Sequence, residues 1–464
     1  MPRNLAKTLL GFIPMLLPAA PSSALPSFAA QTGQPCTACH IGGYGPALTP
    51  FGRAFKIGGY TQRGGEGWQA SLPLSAMVLT SFNGTGAGQP APHHYDANNN
   101  LSLDQISAFI AGGIGEHTGG FIQLTWSDIP NSAGLTPVHV DNIDLRPFTT
   151  AFELGGKEAR VGLTVNNAPT VQDPYNTTYA WGYPYVMSAL APSPKANPIL
   201  SNGLVGNSIG TTVYGWYDRH WFLDLGVYNT FSPWTLARIG NDFGIGSTTS
   251  PAPYARIAYE WGWDNQAAHI GAIFLHADVS PPNGVPFQTD RSMGNDHYTD
   301  FAIDAGYEFL GDGTHIVAVQ GIFTHEESNR KGTAAALNAA NGTSYASASS
   351  LNQIRANVAY WYRNTYGLTL GWQNTWGPAN PVAYQPGPLY GSANSSPNSN
   401  AFIVEADWVP FGKADSPASP WLNLKLGLQY IAYTRFNGGT GNYDGFGRNA
   451  ADNNTVFGFV WLSF

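Results

Sequence analysis

From Gln69 to the end of the chain the strongest regularity is a period of two. Between Tyr298 and Phe309, Asp300, Ala302, Asp304, Gly306 and Glu308 alternate with Phe301, Ile303, Ala305, Tyr307 and Phe309. Leu422, Leu424, Leu426 and Leu428 alternate with Asn423, Lys425, Gly427 and Gln429, and Ile354, Ala356, Val358 and Tyr360 with Gln353, Arg355 and Asn357. Successive side chains on a strand point to opposite faces, so each stretch predicts a two-faced strand. About sixteen such segments of roughly 10–15 residues occur, the number and length of a porin-sized barrel. They start near Gln69, Asn100, Thr118, His139, Lys157, Ile209, Trp221 and Ala252, then near Gln266, Tyr298, Gly313, Leu351, Tyr366, Ala401, Trp421 and Asn453.

Alternation alone also fits a half-buried sheet of a soluble sandwich. The connections decide between them. Short turns at Gly115-Glu116-His117, Asp218-Arg219-His220 and Gly311-Asp312-Gly313 interleave with long Gly/Ser/Asn/Pro-rich stretches at Asn83–Asn99, Ala168–Asn207, Ser232–Pro251 and Pro378–Ser399. Outer-membrane barrels alternate this way, with short turns in the periplasm and long loops outside. The predicted fold is therefore all-β, an antiparallel outer-membrane barrel of about sixteen strands over residues 69–464. Trp181, Tyr183 and Tyr185, Trp261 and Trp263, and Trp361 and Tyr362 are expected in its aromatic belts. Asp300, Asp304, Glu308, Glu405, Asp407, Lys425, Arg355 and Arg363 are expected inside, a mixed lumen whose acids would favour cations. The chain ends Phe457-Gly458-Phe459-Val460-Trp461-Leu462-Ser463-Phe464. If Phe464 faces lipid, the rings of Phe457, Phe459 and Trp461 point inward.

Composition agrees. Only 11% of the 464 residues are charged, against about 25% in ordinary soluble proteins. Mean hydropathy is −0.16, too polar for a bundle of membrane helices. Strands that face lipid on one side and a polar interior on the other account for both numbers. Net charge is −8 with no Lys/Arg-rich run, which excludes nucleic acid as a partner.

Two features precede the barrel. Arg3 and Lys7, the apolar Leu9–Leu17 and the small Ser22-Ser23-Ala24 read as a cleaved signal peptide over 1–24. The only cysteines then stand in Cys36-Thr37-Ala38-Cys39-His40. This is the attachment signature of a c-type haem: two thioethers, with the histidine as proximal iron ligand. A zinc ribbon needs a second pair, and a thioredoxin-type site needs a βαβ unit; neither is present. Thr49-Pro50 predicts a helix start, with Phe51 and Phe55 on one face to cover a porphyrin edge and Gly58-Gly59 ending it. Arg53 and Lys56 there are propionate partners or simply solvated cations. Residues 25–68 are too few to bury a haem unaided, so the barrel must supply a wall. The distal ligand is open among Met77, His93, His94, His117 and His139, and a five-coordinate iron is a further option. His297 with Asp290 and Asp296, or Glu326 with Glu327, are candidate iron-binding groups near the outer mouth, or plain solvated acids.

Ala24-Leu25-Pro26-Ser27-Phe28-Ala29-Ala30-Gln31-Thr32-Gly33 leading into Cys36-x-x-Cys39-His40, with Leu48-Thr49-Pro50-Phe51-Gly52-Arg53 and Gly59-Tyr60, resembles the N-terminus of the fused cytochrome–porin proteins. These include outer-membrane ferrous-iron oxidases, in which Arg usually stands where this chain has Ala30. The resemblance implies a monohaem segment plugging the barrel, a single covalent haem c, an extracellular donor such as Fe(II), and a periplasmic carrier such as a soluble cytochrome. The alternative is a solute channel in which the haem segment is gate, plug or sensor.

Overall fold

A computed structural model describes residues 25–464 apart from 132–133, 180–181, 284–287, 290 and 419–420. The expected signal peptide, Trp181 and Asp290 lie outside the described residues. Sixteen long strands follow one another: β1 Leu74–Thr85, β2 Asn100–Ile114, β3 Thr118–Trp126, β4 His139–Leu154, β5 Lys157–Asn166, β6 Ser208–Tyr217, β7 Trp221–Thr230 and β8 Ala252–Trp263. The second half comprises β9 Gln266–Ser280, β10 Asp296–Phe309, β11 His315–Arg330, β12 Ala348–Tyr362, β13 Tyr366–Trp376, β14 Ser399–Trp408, β15 Asn423–Arg435 and β16 Thr455–Ser463. Each pairs antiparallel with the next. β16 returns to β1, from Met77 opposite Ser463 to Thr85 opposite Thr455. That closure leaves no sheet edge in lipid. A two-residue strand, Ser247–Thr248, adds beside the end of β9.

Eight strand starts fall on the residue expected from the alternation. The first begins at Leu74 rather than Gln69, because Trp68–Ser71 coils into a 3₁₀ turn and Pro73 cannot donate to a ladder. Several hairpins turn on two residues with positive φ, as type I′ geometry requires: Gly155-Gly156, Asp218-Arg219, Asp264-Asn265 and Arg363-Asn364. Arg363 therefore sits at an exposed turn and not in the lumen.

The burial pattern is inverted relative to a soluble sheet. On β10, Asp300 and Asp304 are buried while Phe301 and Ile303 are more than half exposed; on β15, Lys425 and Gln429 are buried while Leu428 is exposed. An apolar outer surface around a polar interior belongs in lipid. Trp261 and Trp263 face outward as a belt would. Trp361 does not: it is buried inside, against Gly42. Phe457, Phe459 and Trp461 do point inward, and Phe464 outward.

Two inserts fill the lumen. Residues 25–68 enter at the short-turn end as a plug carrying α1 Pro26–Thr32, α2 Cys36–Cys39 and α3 Pro50–Ile57. The connection 167–207, expected among the outside loops, instead folds inward. Its Tyr175, Tyr179, Tyr183 and Tyr185 are buried, so Tyr183 and Tyr185 are luminal and not belt residues. The polar wall holds this loop. Ile199 N–H donates to Glu326 at 2.8 Å, Leu200 N–H to Asp300 at 2.7 Å, and the loop accepts from Gln429 at Val186 O (3.0 Å) and from Gln320 at Tyr175 O (2.8 Å). A segment rich in tyrosine gains by leaving water once the wall satisfies its backbone.

Candidate functional site

The cysteine motif forms a single turn. Pro35 precedes α2, and His40 N–H closes it onto Cys36 O at 2.8 Å. Three contacts pin this turn to the barrel's short-turn end. Thr37 N–H donates to Gly412 O (3.2 Å), Gly42 N–H to Asn364 Oδ1 (3.0 Å), and Asn423 Nδ2 to Cys36 Sγ (3.1 Å) and Gly43 O (2.8 Å). The next helix is tied to the same turn. Thr49 caps α3 by accepting from Gly52 N–H at 3.2 Å, donates through Oγ1 to Ala38 O at 2.5 Å, and donates through its N–H to Cys39 O at 2.9 Å.

That contact leaves no room for a side chain at position 52, where a Cβ would lie 2.3 Å from Cys39 O. Gly52→Ala must push α2 and α3 apart, a destabilisation well beyond about 1 kcal/mol. For a haem attached at this motif, the expected readout is a large drop in covalent haem per barrel, measured by haem staining against heat-modified gel mobility. Normal haem content in that variant would show that the α2–α3 contact does not shape the site.

Cys36, Cys39 and His40 line a cavity of about 160 Å³ between plug and barrel. The plug contributes Phe28, Phe55 and Tyr60, and the barrel contributes Met77, Phe109, Phe121 and Trp461. Phe28 stacks on Tyr60 at 5.0 Å, Phe55 meets Phe28 edge-on at 5.2 Å, and Tyr44 meets Trp461 at 5.0 Å. The barrel thus completes a wall that the short segment lacks. Phe55 lines this cavity, whereas Phe51 is not among the lining residues.

Burial holds the His40 ring down to about 4, with the Gly45 backbone opposing, so the imidazole is neutral, the form that binds metal. Its Nδ1 has no hydrogen-bond partner of acceptable geometry, although fully enclosed. Burial pushes the Cys39 thiol up to about 12 and Cys36 higher still, so both stay protonated in this dry site. An apolar aromatic pocket with two thiols, an uncommitted neutral imidazole and a thioether fits a haem c.

Of the five distal candidates only Met77 lines this cavity. His93 and His94 pack on each other in the 86–99 loop, His117 Nδ1 is bonded at the Thr149 carbonyl, and His139 begins β4 at the opposite end. Position alone could not have separated Met77 from these. Its inward phase on the first strand was a usable signal.

Arg53 and Lys56 are buried rather than solvated, and both already have partners within the protein. Arg53 donates to both Glu260 oxygens (2.8 and 3.1 Å) and both Glu308 oxygens (2.6 and 3.1 Å). Lys56 Nζ donates to Val171 O at 2.5 Å and Asp173 O at 3.2 Å, and lies 3.7 Å from Asp144. Burial lowers Lys56 to about 8 despite Asp144. These cations weld plug to wall. The luminal acids are similarly engaged: Asp304 with Arg256, and Glu405 and Asp407 with Lys425 at 3.0 and 3.1 Å. Among the described residues the lumen is therefore of mixed charge.

The described outer-mouth groups do not converge. His297 pairs with Asp278 at 2.5 Å, Asp296 accepts from Thr333, and Glu326 points inward beside Asp300 while Glu327 faces out. No group of three or more metal-binding side chains occurs among the described residues.

No protein-family model matches the chain, and no curated protein matches it in sequence. Solved structures do. OprB of Pseudomonas putida superposes with a TM-score of 0.50 at 10% identity, covering 84% of this chain and 94% of that one. The outer membrane channel DcaP of Acinetobacter baumannii gives 0.46 at 11% identity, covering 84% and 96%. At such identities the likeness concerns architecture alone: this chain has the closed, sixteen-strand antiparallel fold of outer-membrane porins.

Proposed function

We propose that the chain is an exported outer-membrane electron-transfer protein, residues 25–68 carrying one haem c and residues 69–464 forming the barrel that holds it. Cys36 and Cys39 attach the group, His40 is the proximal ligand and Met77 the distal one. The observation that carries this reading is the convergence of these four side chains on one aromatic-walled cavity. The resemblance of Ala24–Tyr60 to the cytochrome–porin proteins adds to it. When bound, the haem supplies one-electron exchange: an external donor such as Fe(II) gives up one electron, becoming Fe(III), and a periplasmic carrier takes that electron.

The chain's own residues define the two sides of that exchange. The cavity lies at the short-turn end, which faces the periplasm in this class of barrel, so a soluble carrier docks close to it. On the other side the inward loop 167–207 stands between the cavity and the exterior. A donor must enter the lumen at least as far as that loop, because the apolar band of such barrels is about 25 Å tall. Phe28, Phe55, Tyr60 and Phe121 exclude water and hold the iron site dry.

Met77→Ala is expected to lower the haem midpoint potential by on the order of 100 mV, within the ~0.8 V range that axial ligands command. Redox titration reads this, and an unchanged potential with an unchanged sulfur–iron absorption band would remove Met77 as ligand.

The porin-type fold favours a second reading, a solute channel with the haem segment as plug. Stopped-flow mixing of purified holoprotein with Fe(II), alongside liposome swelling, separates the two. Haem reduction with little sugar permeation supports the conduit. Free permeation with no reduction at a favourable potential overturns it.

A further inference from the structure

The barrel has a second cavity, of about 550 Å³, between the inward loop and the wall formed by β12 to β15 on the long-loop side. Its chemistry differs from that of the haem site. It is lined by amides, hydroxyls and tyrosine rings, by the apolar Met187, Val205, Ile403 and Ile431, and by two cations, Arg355 and Lys195, with no carboxylate.

Arg355 differs from the other plug and wall cations. Arg53, Lys56, Arg146, Arg256, Arg330 and Lys425 each have a carboxylate within 4.0 Å, whereas Arg355 has none among the described residues. It donates one hydrogen bond, Nη2 to Asn197 Oδ1 at 3.2 Å, and its charge lies 5.8 Å from the Tyr183 ring centre. Its Nε is enclosed without a partner. A partly buried guanidinium whose Nε is enclosed and which has no anion beside it is better satisfied once an anion binds. Its planar fork matches a carboxylate by two parallel N–H···O bonds. Around it, Gln353 Nε2 donates to the same Asn197 oxygen at 3.0 Å, and Tyr183 and Tyr433 offer flat faces. Amides and aromatic faces beside a carboxylate fork suit a ligand rich in hydroxyls.

We propose that this cavity is a binding site for a hydroxylated organic carboxylate of sugar-acid size, with Arg355 as the carboxylate fork and Lys195 as the cation at its rim. The site is independent of the haem assignment.

Calorimetric titration of the full-length holoprotein in detergent, with gluconate, glucose and inorganic phosphate as probes, tests it. Gluconate is expected to bind at least roughly tenfold tighter than glucose, and Arg355→Gln to weaken it by about tenfold or more. Lys195→Gln is expected to weaken it about threefold, and raising salt from roughly 50 to 500 mM to weaken it severalfold. The haem spectrum is expected to stay unchanged throughout. No gluconate binding, equal affinity for glucose, phosphate binding as tight as gluconate, or an indifferent Arg355→Gln would each overturn the proposal. If Arg355→Gln fails to assemble, the salt series on the unaltered protein and Lys195→Gln decide by the same criteria.

Discussion

Replacing both Cys36 and Cys39 by alanine is expected to abolish covalent haem while leaving the barrel assembled. The two effects separate because the thiols do little for the fold. Cys36 accepts one hydrogen bond, from Asn423 Nδ2, and that amide keeps its second acceptor at Gly43 O. Losing such a bond is a matter of about 1 kcal/mol. The strands close through the β16–β1 ladder, which runs from Met77 opposite Ser463 to Thr85 opposite Thr455 and owes nothing to α2. Heat-modified gel mobility should therefore match the parent, while the haem band disappears from denaturing gels. Haem that survives denaturation in the double variant would end the thioether assignment, whatever the barrel's function. His40→Ala separates the roles further: the thiols remain, so haem is retained, but its potential and spectrum change because the imidazole is gone.

The strands were legible because their signal is local. A period of two survives in any ten residues, and the lipid-facing phase of β10 and β15 could be read directly from Phe301, Ile303 and Leu428. The proposed haem motif is local in the same way, since its three groups fall within five residues. What the sequence hid was non-local. Nothing in residues 168–207 distinguishes a loop that folds into the lumen from one that lies outside. The difference is made by acceptors such as Asp300 and Glu326, 100 and 127 residues ahead of their donors in the chain. Trp361 illustrates the same limit. As one of a Trp-Tyr pair at a strand end it fits an aromatic belt, but in the fold it covers Gly42 of the plug, where a Cβ would lie 2.3 Å from its ring. Met77 required both kinds of information: the inward phase, which is local, and the arrival of the plug beneath it, which is not.

Arg53→Ala is expected to release the plug without opening the barrel wall. Arg53 is buried on α3 and reaches two carboxylates on strands β8 and β10, Glu260 and Glu308, with both forks of its guanidinium. It also donates to Leu48 O at 2.8 Å, which holds the start of α3 in place. Removing the cation leaves two carboxylates enclosed together without a counter-charge. Breaking a buried pair from one side is disfavoured by about 3–5 kcal/mol, a factor of roughly a hundred to a few thousand in the docked-to-released ratio. Lys56 cannot compensate, since its ammonium is committed to Val171, Asp173 and Asp144. Residues 25–68 should become sensitive to protease added from the short-turn side, and planar-bilayer conductance should rise. The strands should remain resistant, because the ladder does not involve Arg53. The triple variant Arg53→Met with Glu260→Gln and Glu308→Gln removes all three charges and is expected to restore most of the protection, as apolar or neutral replacements of buried ion networks commonly do. Full protease resistance in Arg53→Ala would mean that the aromatic contacts of Phe28, Phe55 and Tyr60 hold the plug by themselves, and that the buried charges only set its register.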